Sequence, residues 1–178
     1  VTVALWFRAT ETPTGSYTAI VRKGNDGPET WNLRQHAGSD DIHARIDTSG
    51  GSNQLPGSAD DVFDGEWYHI VMVLDNGNYY FYKDGVQSGS GTYNHGNGFA
   101  NTDDLSIAFD GVHSFDAYYD DVRLYNRALT PTEIEELAMA CGPAQEGDIN
   151  YFPSQGQFRF CDGSEWQPMS ARHVYDLS

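Results

Sequence analysis

Apolar and polar side chains alternate over most of this chain, and the period is two. Residues 1–8 set Val1, Val3, Leu5 and Phe7 against Thr2, Ala4, Trp6 and Arg8, which predicts a strand. Residues 17–23 (YTAIVRK) predict a second, after the turn TETPTGS. TWNLRQH (30–36) and IHARID (42–47) predict a hairpin across AGSDD. The polar stretch from Thr48 to Gly65, rich in Gly, Ser, Asn and Asp, reads as a long loop. In residues 67–74, Trp67, His69, Val71 and Val73 alternate with Tyr68, Ile70, Met72 and Leu74. Both sets are mostly apolar, as in a strand covered on both faces. Asp75-Asn76-Gly77 tolerates positive φ and reverses the chain into the aromatic run Asn78–Lys83. Asp84-Gly85 turns it again towards Val86, which starts a short strand, and SGSGTYNHGNGFANTDD reads as a second long loop. Leu105, Ile107 and Phe109 alternate, and residues 115–125 (FDAYYDDVRLY) predict the last strand of the main body.

One segment has a helical signature. In LTPTEIEELAMA (129–140), Thr130 is placed to cap, Pro131 suits the first turn and Glu133 completes a capping-box spacing. Many short strands, long loops and one late helix predict an all-β protein. Its architecture is an antiparallel two-sheet β-sandwich with one short C-terminal helix.

Composition narrows the function classes. Ten basic residues stand against 26 acidic ones, a net charge of −16, which opposes binding to nucleic-acid phosphates or to an anionic membrane. No apolar run reaches the roughly 20 residues that span a bilayer. Asp outnumbers Glu by 18 to 8. Asp suits turns and ligates hard cations through oxygen, so calcium is a candidate beside a plain solvated acidic surface. The two cysteines, Cys141 and Cys161, have 19 residues between them. Their even number in a helix-poor chain predicts one disulfide and an oxidising compartment. Closing such a loop contributes roughly 3 kcal/mol in the entropic model. The sequence begins inside a strand pattern, as expected of a processed or shortened form of a longer precursor.

Three segments carry a family resemblance: VTVALWFRAT, DGEWYHIVMVLDNGNYYFYKDG and FDAYYDDVRLYNRALTPTEIEEL. In this order they resemble the early strand, the Trp-x-His hairpin and the Asp-Asp-Val-Arg ending of the laminin-G-like, or concanavalin A-like, jelly-roll domains. The resemblance implies a jelly roll over residues 1–140, lacking the family's usual N-terminal strand. That would leave the edge beside the last strand open to a neighbour's segment. It also implies a calcium site at Asp120, with Asp121, near the N-terminal segment. Asp120 shares the parity of Val122 and Leu124, so the alternation predicts it on the core face, where a carboxylate needs a partner. Salt bridges to Arg123 or Arg127 would serve equally. A second carboxylate cluster is Asp60, Asp61 and Asp64. Residues 141–178 resemble small cysteine-linked hairpins of bacterial and phage surface proteins, and imply a disulfide-linked β-rich tail.

No pattern for a Ser nucleophile, a nucleotide loop or a metalloprotease occurs in the sequence, and no closely spaced acidic run of the glycosidase kind. The six histidines show no paired spacing, and His69 reads as a hydrogen-bonded framework residue. Aromatic residues are in surplus. Trp31, Tyr93 and Tyr118 are the rings expected to be exposed, where a sugar packs its apolar face. The leading expectation is a non-enzymatic extracellular recognition module that binds a glycan or another cell-surface ligand. The alternative is a structural subunit, a homo-oligomer, surface filament or virion fibre, assembling by strand or tail exchange. A glycosidase is the third reading. It lacks carboxylates at the spacing such chemistry needs.

Overall fold

A computed structural model describes residues 1–13, 17–24, 30–36, 39–49, 51–59, 61–94, 102–108, 116–139, 147, 149–152, 156–162 and 166–169. It divides into two compact units, Val1–Leu129 and Thr130–Ser178.

The described residues of the first unit form an all-antiparallel sandwich of ten strands: β1 (Thr2–Ala9), β2 (Ala19–Lys23), β3 (Thr30–Gln35), β4 (Ile42–Thr48), β5 (Gly51–Ala59), β6 (Tyr68–Asp75), β7 (Asn78–Lys83), β8 (Val86–Thr92), β9 (Leu105–Ile107) and β10 (Ala117–Tyr125). One sheet has the order β10-β1-β6-β7-β8, the other β5-β4-β3-β2-β9. The core is the inner face of both: Val3, Leu5, Phe7, Ile70, Met72, Tyr79 and Phe81 from the first, Val21, Trp31, Leu33, Ala44, Ile46 and Leu55 from the second. Burial of these apolar faces is the dominant stabilising term.

The central hairpin follows its pattern. Tyr68, Ile70, Met72 and Leu74 point inward, while His69, Val71 and Val73 are buried on the other face. That second buried face is what makes β6 apolar on both sides. Positive φ at Asn76 and Gly77, then at Asp84 and Gly85, makes the two reversals the sequence predicts. Thr2 donates from Oγ1 to the Arg127 carbonyl and accepts from Leu129 N–H, so the chain after β10 returns over the start of β1.

The polar stretch after Thr48 that reads as a loop forms β5, and the short strand predicted from Val86 runs on as β8 into residues read as a loop. In β8, Gly89 stands opposite Phe81 and Gly91 opposite Tyr79. At Gly91 the missing side chain leaves room for the ring; a Cβ there would lie 2.7 Å from the Tyr79 hydroxyl. In β5, Leu55 faces the core, and Gly57 passes so close to Ile42 that a Cβ would lie 2.3 Å from its carbonyl oxygen. β5 is an edge strand, and Pro56 falls where its register against β4 is broken, both settings that tolerate a missing N–H.

The second unit holds α1 (Pro131–Ala138) and a three-stranded sheet in the order β11 (Ile149–Phe152), β12 (Gln157–Cys161), β13 (Trp166–Pro168). The capping box forms: Glu133 N–H donates to Thr130 Oγ1 at 3.3 Å, and Thr130 N–H donates to Glu133 Oε2 at 2.8 Å. Phe152 is buried edge-on to Trp166, ring centroids 5.5 Å apart, and Trp166 Nε1 donates to the Met139 carbonyl. Cys161 is buried at the end of β12; its predicted partner Cys141 lies outside the described residues. Among the described residues no helix is long and apolar enough to cross a membrane.

Candidate functional site

The alternation of β10 breaks in its middle. Trp6 pairs with Asp120 and Ala4 with Arg123, so Asp121 and Val122 together face one residue of β1. Asp121 takes φ 46°, and the result is a β-bulge. Before it, Ala117 and Tyr119 pack on the core; after it, Val122 does. The bulge therefore corrects the face expected for Asp120. This carboxylate lies outward with Tyr118, is exposed, and accepts the Asp121 N–H at 2.8 Å. Asp121 pairs with Arg123 Nε at 2.6 Å, the structural alternative to a cation.

That outward face carries an aromatic platform. β1 contributes Trp6 and Arg8, β10 contributes Tyr118 and Asp120, and Trp67 enters just before β6. Arg8 stands opposite Tyr118 and Trp6 opposite Asp120, a register that collects them at one end of the sheet. Tyr118 is 62% exposed and Trp67 41%, with ring centroids 6.5 Å apart. The Arg8 guanidinium lies 5.6 Å from the Tyr118 ring centre, and its buried Nε has no hydrogen-bond partner among the described residues. Trp6 leans on the buried His69, centroids 5.3 Å apart.

His69 is framework, but its hydrogen bonds are through the backbone. Its N–H donates to Asp84 Oδ1 at 2.9 Å and its carbonyl accepts from Asp84 N–H at 2.8 Å, while Nδ1 has no partner among the described residues. Burial pushes its pKa down to about 4; Asp121 opposes this and Arg123 adds to it. Nearby, Asp64 accepts from Glu66 N–H at 3.0 Å and from the Tyr68 hydroxyl at 2.7 Å. Those bonds hold its carboxyl below the usual range and push the Tyr68 phenol up to about 12. Asp64 thus serves the loop before β6, and Asp60 lies outside the described residues.

Two of the three rings expected at the surface are in the core. Trp31 is 4% exposed and Tyr93 8%. Trp31 sits opposite Ile46 at the same parity as Leu33, and Tyr93 is held by its N–H on the Gly77 carbonyl at 2.8 Å. Neither offers a ring face to a ligand. Tyr118 is exposed as expected, and Trp67 is the partner that sequence reasoning treated only as scaffold. The signal for it was parity: Trp67 shares the face of His69, opposite to the inward Tyr68.

The outward face of the other sheet is polar, and several of its side chains bond to one another. Arg45 Nε lies 2.9 Å from Asp47 Oδ2, and Arg34 donates to Gln54 Oε1 at 2.6 Å while covering the Tyr17 ring at 4.1 Å. An arginine network of this kind fixes side chains to one another and leaves the aromatic platform as the better candidate for a ligand.

Comparison with known proteins agrees with this architecture. The chain is similar in structure to the binding domain of Paraclostridial Mosquitocidal Protein 1, at 16% identity and a TM-score of 0.62, covering 99% of this chain and 53% of that one. It is similar to domain 4 of AbnA, a GH43 extracellular arabinanase from Geobacillus stearothermophilus, in complex with arabinotriose (22% identity, TM-score 0.58, 78% of this chain and 66% of that one). A third similarity is to botulinum neurotoxin type C, in a structure concerned with its interaction with two ganglioside molecules (13% identity, TM-score 0.57, 77% and 34%). The chain spans about half of the mosquitocidal binding domain and about a third of the neurotoxin chain. At these identities the likeness establishes the fold. The family model of the concanavalin A-like lectin/glucanases superfamily, in its laminin-G-like form, matches residues 1–135, and the chain belongs to that family.

Proposed function

We propose that this protein is a non-enzymatic, extracellular recognition module that binds carbohydrate on the Trp67–Tyr118 platform. The observation that carries the reading is the pair of exposed rings, Tyr118 on β10 and Trp67 just before β6, 6.5 Å apart with Arg8 beside Tyr118. Aromatic faces take the apolar C–H faces of a sugar, and a guanidinium and carboxylate at their rim take its hydroxyls. Arg8 and Asp120 hold those two positions. The arabinanase domain described with arabinotriose and the neurotoxin described with gangliosides support a sugar as the ligand class. A glycan array, run with calcium and with chelator because Asp120 and Asp121 border the platform, tests it. Binding to a defined glycan family, lost in Trp67→Ala and Tyr118→Ala, is the expected result. No binding in either condition contradicts it.

Assembly by strand addition at β10 draws less support. β10 is an edge strand, but it carries a bulge and the charged Asp120, Asp121 and Arg123. Bulges and charges are the features that keep sheet edges from pairing with another chain.

A further inference from the structure

The β3–β4 hairpin gathers three metal-ligating side chains that the family and the platform leave unused. Gln35 pairs with Ile42 and Arg34 with His43. One rung further, His36 N–H donates to the Asp41 carbonyl at 2.9 Å. Because facing residues share a face and parity alternates, His36, Asp41 and His43 all point away from the core. One ligand atom from each lies within 4.8 Å of the other two. The two imidazoles stack, centroids 4.2 Å apart at 21°.

The hairpin end is fixed before any ion arrives. The buried Gln35 donates from Nε2 to the carbonyls of His36 (2.6 Å) and Ser39 (2.9 Å), and Ser39 N–H returns to the His36 carbonyl at 2.9 Å. Ser39 Oγ sits 3.4 Å from His36 Nδ1, a position from which it orients the ring. Arg34, the closest cation on this face, is directed to Tyr17 and Gln54.

We infer that His36, Asp41 and His43 form a binding site for a divalent transition-metal ion of the zinc class. Two nitrogens and one carboxylate oxygen are donors that suit zinc, and calcium prefers oxygen alone. Three protein ligands leave a tetrahedral position for water or an outside donor.

The test is titration of chelator-treated full-length protein with zinc and with cobalt. It is followed by calorimetry, by the cobalt absorption spectrum, and by the imidazole resonances. The expected result is one ion per chain, shifting His36 and His43 before any other histidine. His36→Ala and His43→Ala should each weaken binding at least about tenfold to a hundredfold, since changes even in supporting residues reach that size. Asp41→Asn should weaken it in the same direction, and Asp75→Asn, an exposed carboxylate at the end of β6, should leave it unchanged. Circular dichroism confirms folding of each variant, and the wild-type resonances decide the matter should a variant fail to fold. Equal uptake by the double histidine variant, or zinc perturbing other histidines first, would overturn the assignment.

Discussion

His69 makes the sandwich sensitive to mild acid. Its imidazole is 3% exposed, packed on Trp6, with burial holding its pKa at about 4 against an ordinary 6.5. A base whose folded pKa lies below its unfolded pKa takes up protons preferentially on unfolding. Its contribution is therefore complete above pH 6.5 and is lost as pH falls towards 4. Between pH 7 and pH 5 the loss comes to about 2 kcal/mol, and by pH 4 to about 3 kcal/mol. Asp121 and Arg123, paired at 2.6 Å, act on His69 with opposite sign, and burial is the larger cause. The perturbation is His69→Phe, which removes the titration and keeps a ring against Trp6. Urea unfolding of both proteins, followed by β-sheet circular dichroism at pH 7 and pH 5, isolates the effect, because other groups titrate alike in the two. Wild type should lose about 2 kcal/mol more than the variant over this interval. Equal losses, or a His69 imidazole resonance, identified by its absence in His69→Phe, titrating near 6.5 in the folded protein, would refute the reasoning.

The glycines of β5 and β8 and the helix cap give further consequences. Gly57→Ala drives a Cβ into the Ile42 carbonyl, which is ladder backbone and cannot step aside, whereas Gly91→Ala meets the Tyr79 ring. Overpacking costs about 1–3 kcal/mol and at times more, so urea midpoints should place Gly57→Ala as the more destabilised of two destabilised variants. Thr130→Ala should cost about 1 kcal/mol by removal of the N-cap acceptor. Adding Glu133→Ala should then cost less than it does alone, because the capping box is reciprocal.

Strand pattern and family resemblance located β1, β6, β7, β10 and the helix because their own side chains bury enough to announce them. β5 and the later part of β8 escaped notice because their partners define them. Gly91 leaves its place to the Tyr79 ring, and in sequence such a glycine looks like part of a loop. Alternation mistook the face of Asp120 because a bulge carries no mark in the pattern beyond an Asp that tolerates positive φ. For Trp31 the alternation was sufficient, since Leu33 shares its parity; the expectation of exposure set the pattern aside. The histidine cluster becomes visible only once cross-strand register is known, because the predicted turn brings His36 and Asp41 near each other and only the register puts them on one face with His43.

The central claim is that the outward rings of the first sheet grip a sugar. Calorimetric titration of the tightest array glycan into wild type, Trp67→Ala and Tyr118→Ala tests it most directly. Each truncation should weaken binding at least about tenfold, or ~1.4 kcal/mol, with the fold intact. Undiminished affinity in both variants would place the ligand elsewhere and contradict the account.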